Sequence, residues 1–245
     1  MNIASHQPTA TNPGDAFIWW EWITRRPGEI WERTVEHLQM TVVAVVVGCV
    51  ISAALTLIAL RFRWTLAPIT WIGNLLYTIP SLALFVILIP YTGLGFLTAQ
   101  IALVSYTIQI LVRNMVAGIV SVPASVTEAA TAIGYRRLHR LWAIELPLAA
   151  PTIIAGIRIA AVTVIGLVTI TALIGNGGYG AFINDGLNRR FSTPIVLGGG
   201  LSIMLAFGVD AVLSAIQRAA TPWTRQRRRQ RARQSGRQSG RQFGQ

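Results

Sequence analysis

Apolar residues run in five long blocks separated by short polar stretches. The blocks are 40–60, 68–90, 96–120, 152–174 and 194–216. Each has about the 20 mostly apolar residues that a helix needs to cross a bilayer. The first, from Met40 to Leu60, has no charge at all. The second is interrupted by Pro80, and the third carries Gln100, Gln109 and Arg113. The fourth carries Arg158 and the fifth Asp210. The pattern predicts an all-α integral membrane protein with five transmembrane helices.

Composition supports this reading. Only 12% of residues are charged, about half the share of a soluble domain. The net charge is +12, and all 21 basic residues are arginine. Nine of them fall between Arg218 and Arg241. So basic a chain suggests nucleic acid first. A basic tail beside a membrane anchor accounts for it without nucleic acid, and membrane lipid is the expected partner. Residues 225–245 are nearly all Arg, Gln, Gly and Ser. Such a segment cannot bury a core and is predicted to be disordered.

An odd number of spans puts the termini on opposite sides. With the C-terminus inside, the inner segments hold 14 Arg and the outer ones 5. This obeys the positive-inside rule, although without the tail the count is 5 against 5. The first 39 residues also carry five acids: Asp15, Glu21, Glu29, Glu32 and Glu36. The expected location is the plasma membrane, N-terminus outside and C-terminus inside. Three regions follow: 1–39 outside, a membrane domain at 40–217 and a cytoplasmic tail at 218–245. Trp19, Trp20, Trp22 and Trp31 predict an interfacial helix at headgroup level. No cleavable signal peptide is visible at the polar N-terminus. Cys49 is expected as a small apolar helix contact. No His, Cys and carboxylate cluster suggests a metal.

The segment 121–151 between the third and fourth blocks carries the chemistry. Ser125 and Glu128 have capping-box spacing, which predicts a helix start. Ala129, Ala130 and Ala132 favour helix, and Gly134 can close it in a left-handed conformation. A second helix is expected, with Leu138, Leu141, Trp142 and Leu146 at helical spacings, ended by Pro147. The result is a helix–turn–helix knob with small residues exposed. Its place between two spans, against the bilayer, excludes a DNA-binding helix-turn-helix.

Seven positions over 20 residues, Glu128-Ala129-Ala130, Gly134, Ile144 and Leu146-Pro147, match the signature loop of ABC importer permeases, which this chain resembles. The resemblance implies the type I permease arrangement, with the loop as a coupling helix docked on an ATPase. It also implies ATP-binding cassette subunits, a second permease copy or sister permease, and an extracytoplasmic solute-binding protein. This chain would then be no enzyme and hold no cofactor, with ATP and Mg on the ATPase.

Further segments resemble the osmoprotectant branch, for glycine betaine, choline, carnitine or proline-type solutes. They are Thr78–Leu84, Val112–Asn114, Ala155–Arg158 and Leu173–Gly180. Many relatives have Pro-Leu-Gly where this chain has Ile51-Ser52-Ala53-Ala54, so the first span should run unbroken. Another solute, such as an amino acid, is the alternative within the family. A secondary transporter is the alternative outside it, but no internal repeat is visible.

Pro80 with Ser81 marks a broken helix, of use near a pore or a packed interface. Tyr77 and Tyr106 offer aromatic faces to a quaternary ammonium cation. These four are the translocation-path candidates. Arg113, Arg158 and Asp210 are expected to snorkel or to pair between subunits; an Arg158–Asp210 pair is left open. Gly48, Gly166 and Gly198-Gly199-Gly200 are expected at close helix contacts. The Gly-rich segment 175–180 lacks the Lys-Ser/Thr of a P-loop and is not a nucleotide site.

Overall fold

The computed structural model describes residues 18–222 apart from Asn176. The tail at 225–245, predicted to be disordered, lies outside the described residues. Among these, all regular structure is helical.

A short helix α1 (Trp20–Thr24) leads into α2 (Pro27–Arg61). Pro27 and Glu29 suit a helix N-terminus, and Arg61 suits its C-terminus. At 35 residues α2 is about 50 Å long, well beyond the roughly 30 Å hydrocarbon core. It begins well before Met40, where hydropathy placed the first span. The missed part is a charged helix, with ion pairs Arg26–Glu29 at 3.1 Å and Arg33–Glu36 at 2.9 Å. Charges three residues apart stabilise helix while lowering hydropathy. As expected, α2 runs unbroken through Ile51–Ala54.

The second apolar block is two helices, α3 (Leu66–Thr78) and α4 (Ser81–Thr92), bent by 99°. Pro80 has no N–H to donate, and it holds Ile79 extended (φ −66°, ψ 127°). Pro90 lies inside α4 rather than at its end. Next comes α5 (Phe96–Val120), with the bounds read from the sequence. After the knob, α8 (Leu146–Val168) passes into a 3-10 segment, Thr169–Ile174. A short α9 (Gly180–Arg189) precedes α10 (Ser192–Ala220).

Helix α5 is the central post, packed on α2, α8, α3 and α4. Ala99, Ala102 and Leu103 are fully buried in a cluster with Met40, Ala44, Phe85, Val164 and Val168. Small residues set the spacing, as in helix pairs packed in lipid. A side chain at Gly48 would collide with Thr107, and one at Gly156 with Asn114. Gly198 lies against the Tyr179 carbonyl, whereas a Cβ at Gly166, Gly199 or Gly200 would meet nothing. Cys49 packs on Leu111, Met115 and Ala160.

The start of α2 is locked to the Gly-rich loop. His37 is fully buried; its Nε2 lies 3.0 Å from the Ile165 carbonyl and its Nδ1 3.3 Å from the Tyr179 N–H. The ring therefore donates through Nε2 and accepts at Nδ1. Glu36 accepts from the Gly177 N–H at 3.1 Å, and Tyr179 Oη bonds Thr34 at 2.9 Å. Gly178, at φ +45°, lies against the His37 backbone, where a side chain would collide.

The tryptophans divide. Trp19 packs edge-on to Phe191, and Trp22 to Phe182 and Phe191. Trp20 and Trp31 stay exposed. Trp31 rides on the first long helix, and two of the indoles clasp the α9–α10 corner.

Candidate functional site

The knob begins at α6 (Ala124–Ala132). Its N-cap is Pro123, with no side-chain cap bond. The expected Ser125–Glu128 capping box is thus absent: Ser125 is already inside the helix, two residues past the capping position. Pro123 is extended (ψ 136°) and its carbonyl accepts from Val126 at 3.0 Å. The other end is as expected. Gly134 has φ +95°, the Tyr135 N–H bonds the Ala130 carbonyl, and the Gly134 N–H bonds that of Thr131, both at 3.0 Å. This is a Schellman closure, which needs a residue tolerant of positive φ.

The second helix, α7 (Arg137–Arg140), passes into a π segment, Leu141–Glu145, and directly into α8. Pro147 therefore does not end a helix. It sits in the first turn of α8, where a missing N–H is tolerated because the wider π turn precedes it. From Arg137 to Ile174 the chain forms one 38-residue helical run.

Three polar contacts brace the knob. Arg140 donates to Glu145 and to Thr131, each at 2.7 Å. Arg137 donates to the Leu60 carbonyl, at the C-terminal end of α2, where a cation is favoured. Beneath, Leu141 packs with Ile119 and Ala149, joined by Leu60, Leu146 and Ile153. Ala130 is buried, while Glu128, Ala129 and Gly134 are exposed. Ile133, Leu138 and Trp142 also stand exposed, at 75%, 70% and 65%. Three large apolar side chains beside small ones make a surface suited to a partner. A groove of about 1100 Å³ runs between α2 and the knob, past Leu57, Phe62, Thr127 and Leu138.

Of the seven signature residues, Glu128, Ala129, Ala130 and Gly134 shape this surface. Ile144 lies in the π segment, and Leu146 and Pro147 form its root. The bracing role of Thr131, Arg137, Arg140 and Glu145 escaped the sequence reading. One signal was there: Arg140 and Glu145 are five apart, the period of a π turn rather than an α turn.

A second group gathers at the bend between α3 and α4. The Tyr77 and Tyr106 rings meet edge to face, centroids 5.7 Å apart. Tyr106 Oη donates to the Ile79 carbonyl, freed by the break. Gln109, one turn along α5, donates to Asn74 on α3. Tyr77, Thr78 and Pro80 are exposed, Ser81 partly so and Tyr106 buried. All four path candidates thus lie at one bend.

The arginines separate. Arg158 on α8 holds Asp210 on α10 with both carboxylate oxygens at 2.9 Å and Gln217 at 2.9 Å. Gln217 in turn donates to the Pro151 carbonyl at 2.8 Å. The Arg158–Asp210 pair lies within one chain, not between subunits. Arg113 is exposed on α5.

Comparison with known proteins places this architecture. The family model described as "Binding-protein-dependent transport system inner membrane component" matches residues 44–225. The choline transport system permease protein OpuBB of Bacillus subtilis is 35% identical over 201 residues, 82% of this chain and 92% of that protein. The glycine betaine/carnitine/choline permease OpuCB of the same organism is 34% identical over 80% and 90%. The osmoprotectant import permease OsmW of Salmonella typhimurium is 34% identical over 77% and 90%. Among solved structures, the inward-facing MetNI methionine ABC transporter superposes with TM-score 0.71 at 22% identity, over 80% of this chain and 97% of that one. An amino acid ABC transporter gives 0.69 at 16% identity, over 82% and 99%. Those two likenesses speak for the fold, and the matches over most of the sequence speak for the family. The chain is a multi-pass membrane protein and belongs to the inner-membrane permease components of binding-protein-dependent ABC transport systems.

Proposed function

We propose that this permease imports a quaternary ammonium osmoprotectant of the glycine betaine, choline or carnitine type. Energy comes from ATP hydrolysed on separate ATP-binding cassette subunits. Those subunits seat on the knob at Glu128–Gly134, on the cytoplasmic side, with the N-terminus of the chain outside. Two permease copies, or this chain and a sister permease, enclose the path, and a binding protein delivers solute from outside. The observation that carries the reading is the braced knob between two spans, in a chain whose relatives are named for choline, carnitine and glycine betaine. Large exposed apolar side chains on that knob support a protein partner rather than bulk water.

The test is reconstitution with the ATPase and the binding protein, measuring ATP hydrolysis and uptake across a solute panel. Stimulation by glycine betaine or choline is the expected result. Stimulation by an amino acid alone moves the chain to the other branch. Uptake without any ATPase subunit overturns the ATP-driven reading in favour of a secondary transporter.

A further inference from the structure

The bend between α3 and α4 has a backbone problem that lipid cannot solve. Ile79 and Pro80 lie outside both helices, so the last carbonyls of α3 lose their acceptor role within the helix. Tyr106 takes up the Ile79 carbonyl. The Thr78 hydroxyl turns back to the Leu75 carbonyl at 2.8 Å. Thr78 and Pro80 nevertheless remain exposed. Non-helical backbone at membrane depth is tolerated only where protein covers it or water fills a cavity beside it. Among the described residues the side of the bend that carries Thr78 and Pro80 is uncovered, which suits a wall of the enclosed path rather than a face to hydrocarbon.

Depth agrees. Tyr77 is the twelfth residue of α3, about 16 Å along it from Leu66, roughly half of a 30 Å core. With Leu66 at the bilayer edge and α3 along the normal, a tyrosine there would lie deeper than a headgroup anchor. Tyr77 is 45% exposed, while Tyr106, whose ring meets it edge to face, is 6% exposed and pinned by its hydroxyl. Tyr77 thus rests on a fixed neighbour and keeps part of its surface open. Beside it lie the C-terminal carbonyls of α3, the negative end of that helix dipole. An aromatic face next to partial negative charge attracts a cation that cannot donate hydrogen bonds. The single ring leaves the contact weak, as a path must be for solute to leave.

We infer that the open face of Tyr77, steadied by Tyr106 at the α3–α4 bend, is a transient cation–π station for the trimethylammonium head of the solute. Here the identity of the solute rests on the function proposed above. Arg113, seven residues beyond Tyr106 on α5 and about 10 Å away along it, is out of contact with the head. A zwitterion tolerates that guanidinium better than a bare cation does.

The reconstituted full complex tests this with glycine betaine as probe. Tyr77→Phe keeps the face and should stay within about twofold of the parent uptake, whereas Tyr77→Leu should lose about tenfold. Phenylalanines carrying one, two or three ring fluorines at position 77 change the charge on the face but hardly its size. Uptake should fall stepwise with each fluorine, which a ring needed only for packing would not show. Flat uptake across the fluorine series, or parent-level uptake by Tyr77→Leu, overturns the station while leaving the substrate class intact. A parent complex that moves neither glycine betaine nor choline overturns the substrate class, and the station with it.

Discussion

Arg158 on α8 grips Asp210 on α10 through two parallel bonds of 2.9 Å, and its third nitrogen holds Gln217 two turns further along α10. Planar bidentate pairing fixes orientation as well as distance. Among the described residues α10 packs on α8 and α9, and this grip adds a polar tether to the α8 side. Asp210→Asn and Arg158→Gln should each lower the melting temperature of the detergent-solubilised protein. The double variant should fall no further than the worse single one. Additive losses, in place of that coupling, would show the two groups acting independently.

The His37 latch gives a second expectation. His37→Leu removes the ring's bonds to the buried Tyr179 N–H and the Ile165 carbonyl. Each such loss costs about 1–3 kcal/mol. Thermal unfolding should show a clear drop, and proteolysis should open first near residues 175–180. Unchanged unfolding would mean that water replaces the ring.

Coupling can be separated from folding at Gly134. Its φ of +95° strains any β-branched residue, at a cost of about 1–2 kcal/mol. Gly134→Val should insert normally yet lose ATPase binding and at least about tenfold in uptake, more than 1.4 kcal/mol of function. Glu128→Arg, on the exposed face, should weaken the same binding without touching the helix ending. Normal uptake by both variants removes the knob as the coupling site.

Orientation is read by fusions. A reporter active only in the cytoplasm should work after Gln245 and fail before Met1. The reverse would put the knob on the outer face, away from any ATPase.

Long apolar runs made the spans readable, and α5 came out with the same first and last residues. Gly134 was readable too, since few residues tolerate its conformation. The start of α2 was not, because Glu29, Arg33 and Glu36 stabilise helix through pairing while removing the apolar signal. The capping box failed because Pro123 had already set the helix start. Contacts between distant segments left no local trace: His37 meets Tyr179 across 142 positions, and Arg158 meets Asp210 across 52. The site was legible as separate motifs; that Tyr77, Pro80, Ser81 and Tyr106 share one bend was a matter of tertiary packing.

The unbroken run from Arg137 to Ile174 has a mechanical consequence. It is a lever about 55 Å long, with the knob as its short arm. Where Gly118 meets Ala149 and Gly156 meets Asn114, the lever bears on α5 with almost no side chain between, which makes that crossing its fulcrum. A sideways push on the knob swings the far end the opposite way. The Arg158 grip ties α10 to the run close to that crossing, and the His37 latch ties the run beyond it to the start of α2. A displacement of the knob would thus reach the far end of the run with the opposite sign, without any helix having to bend.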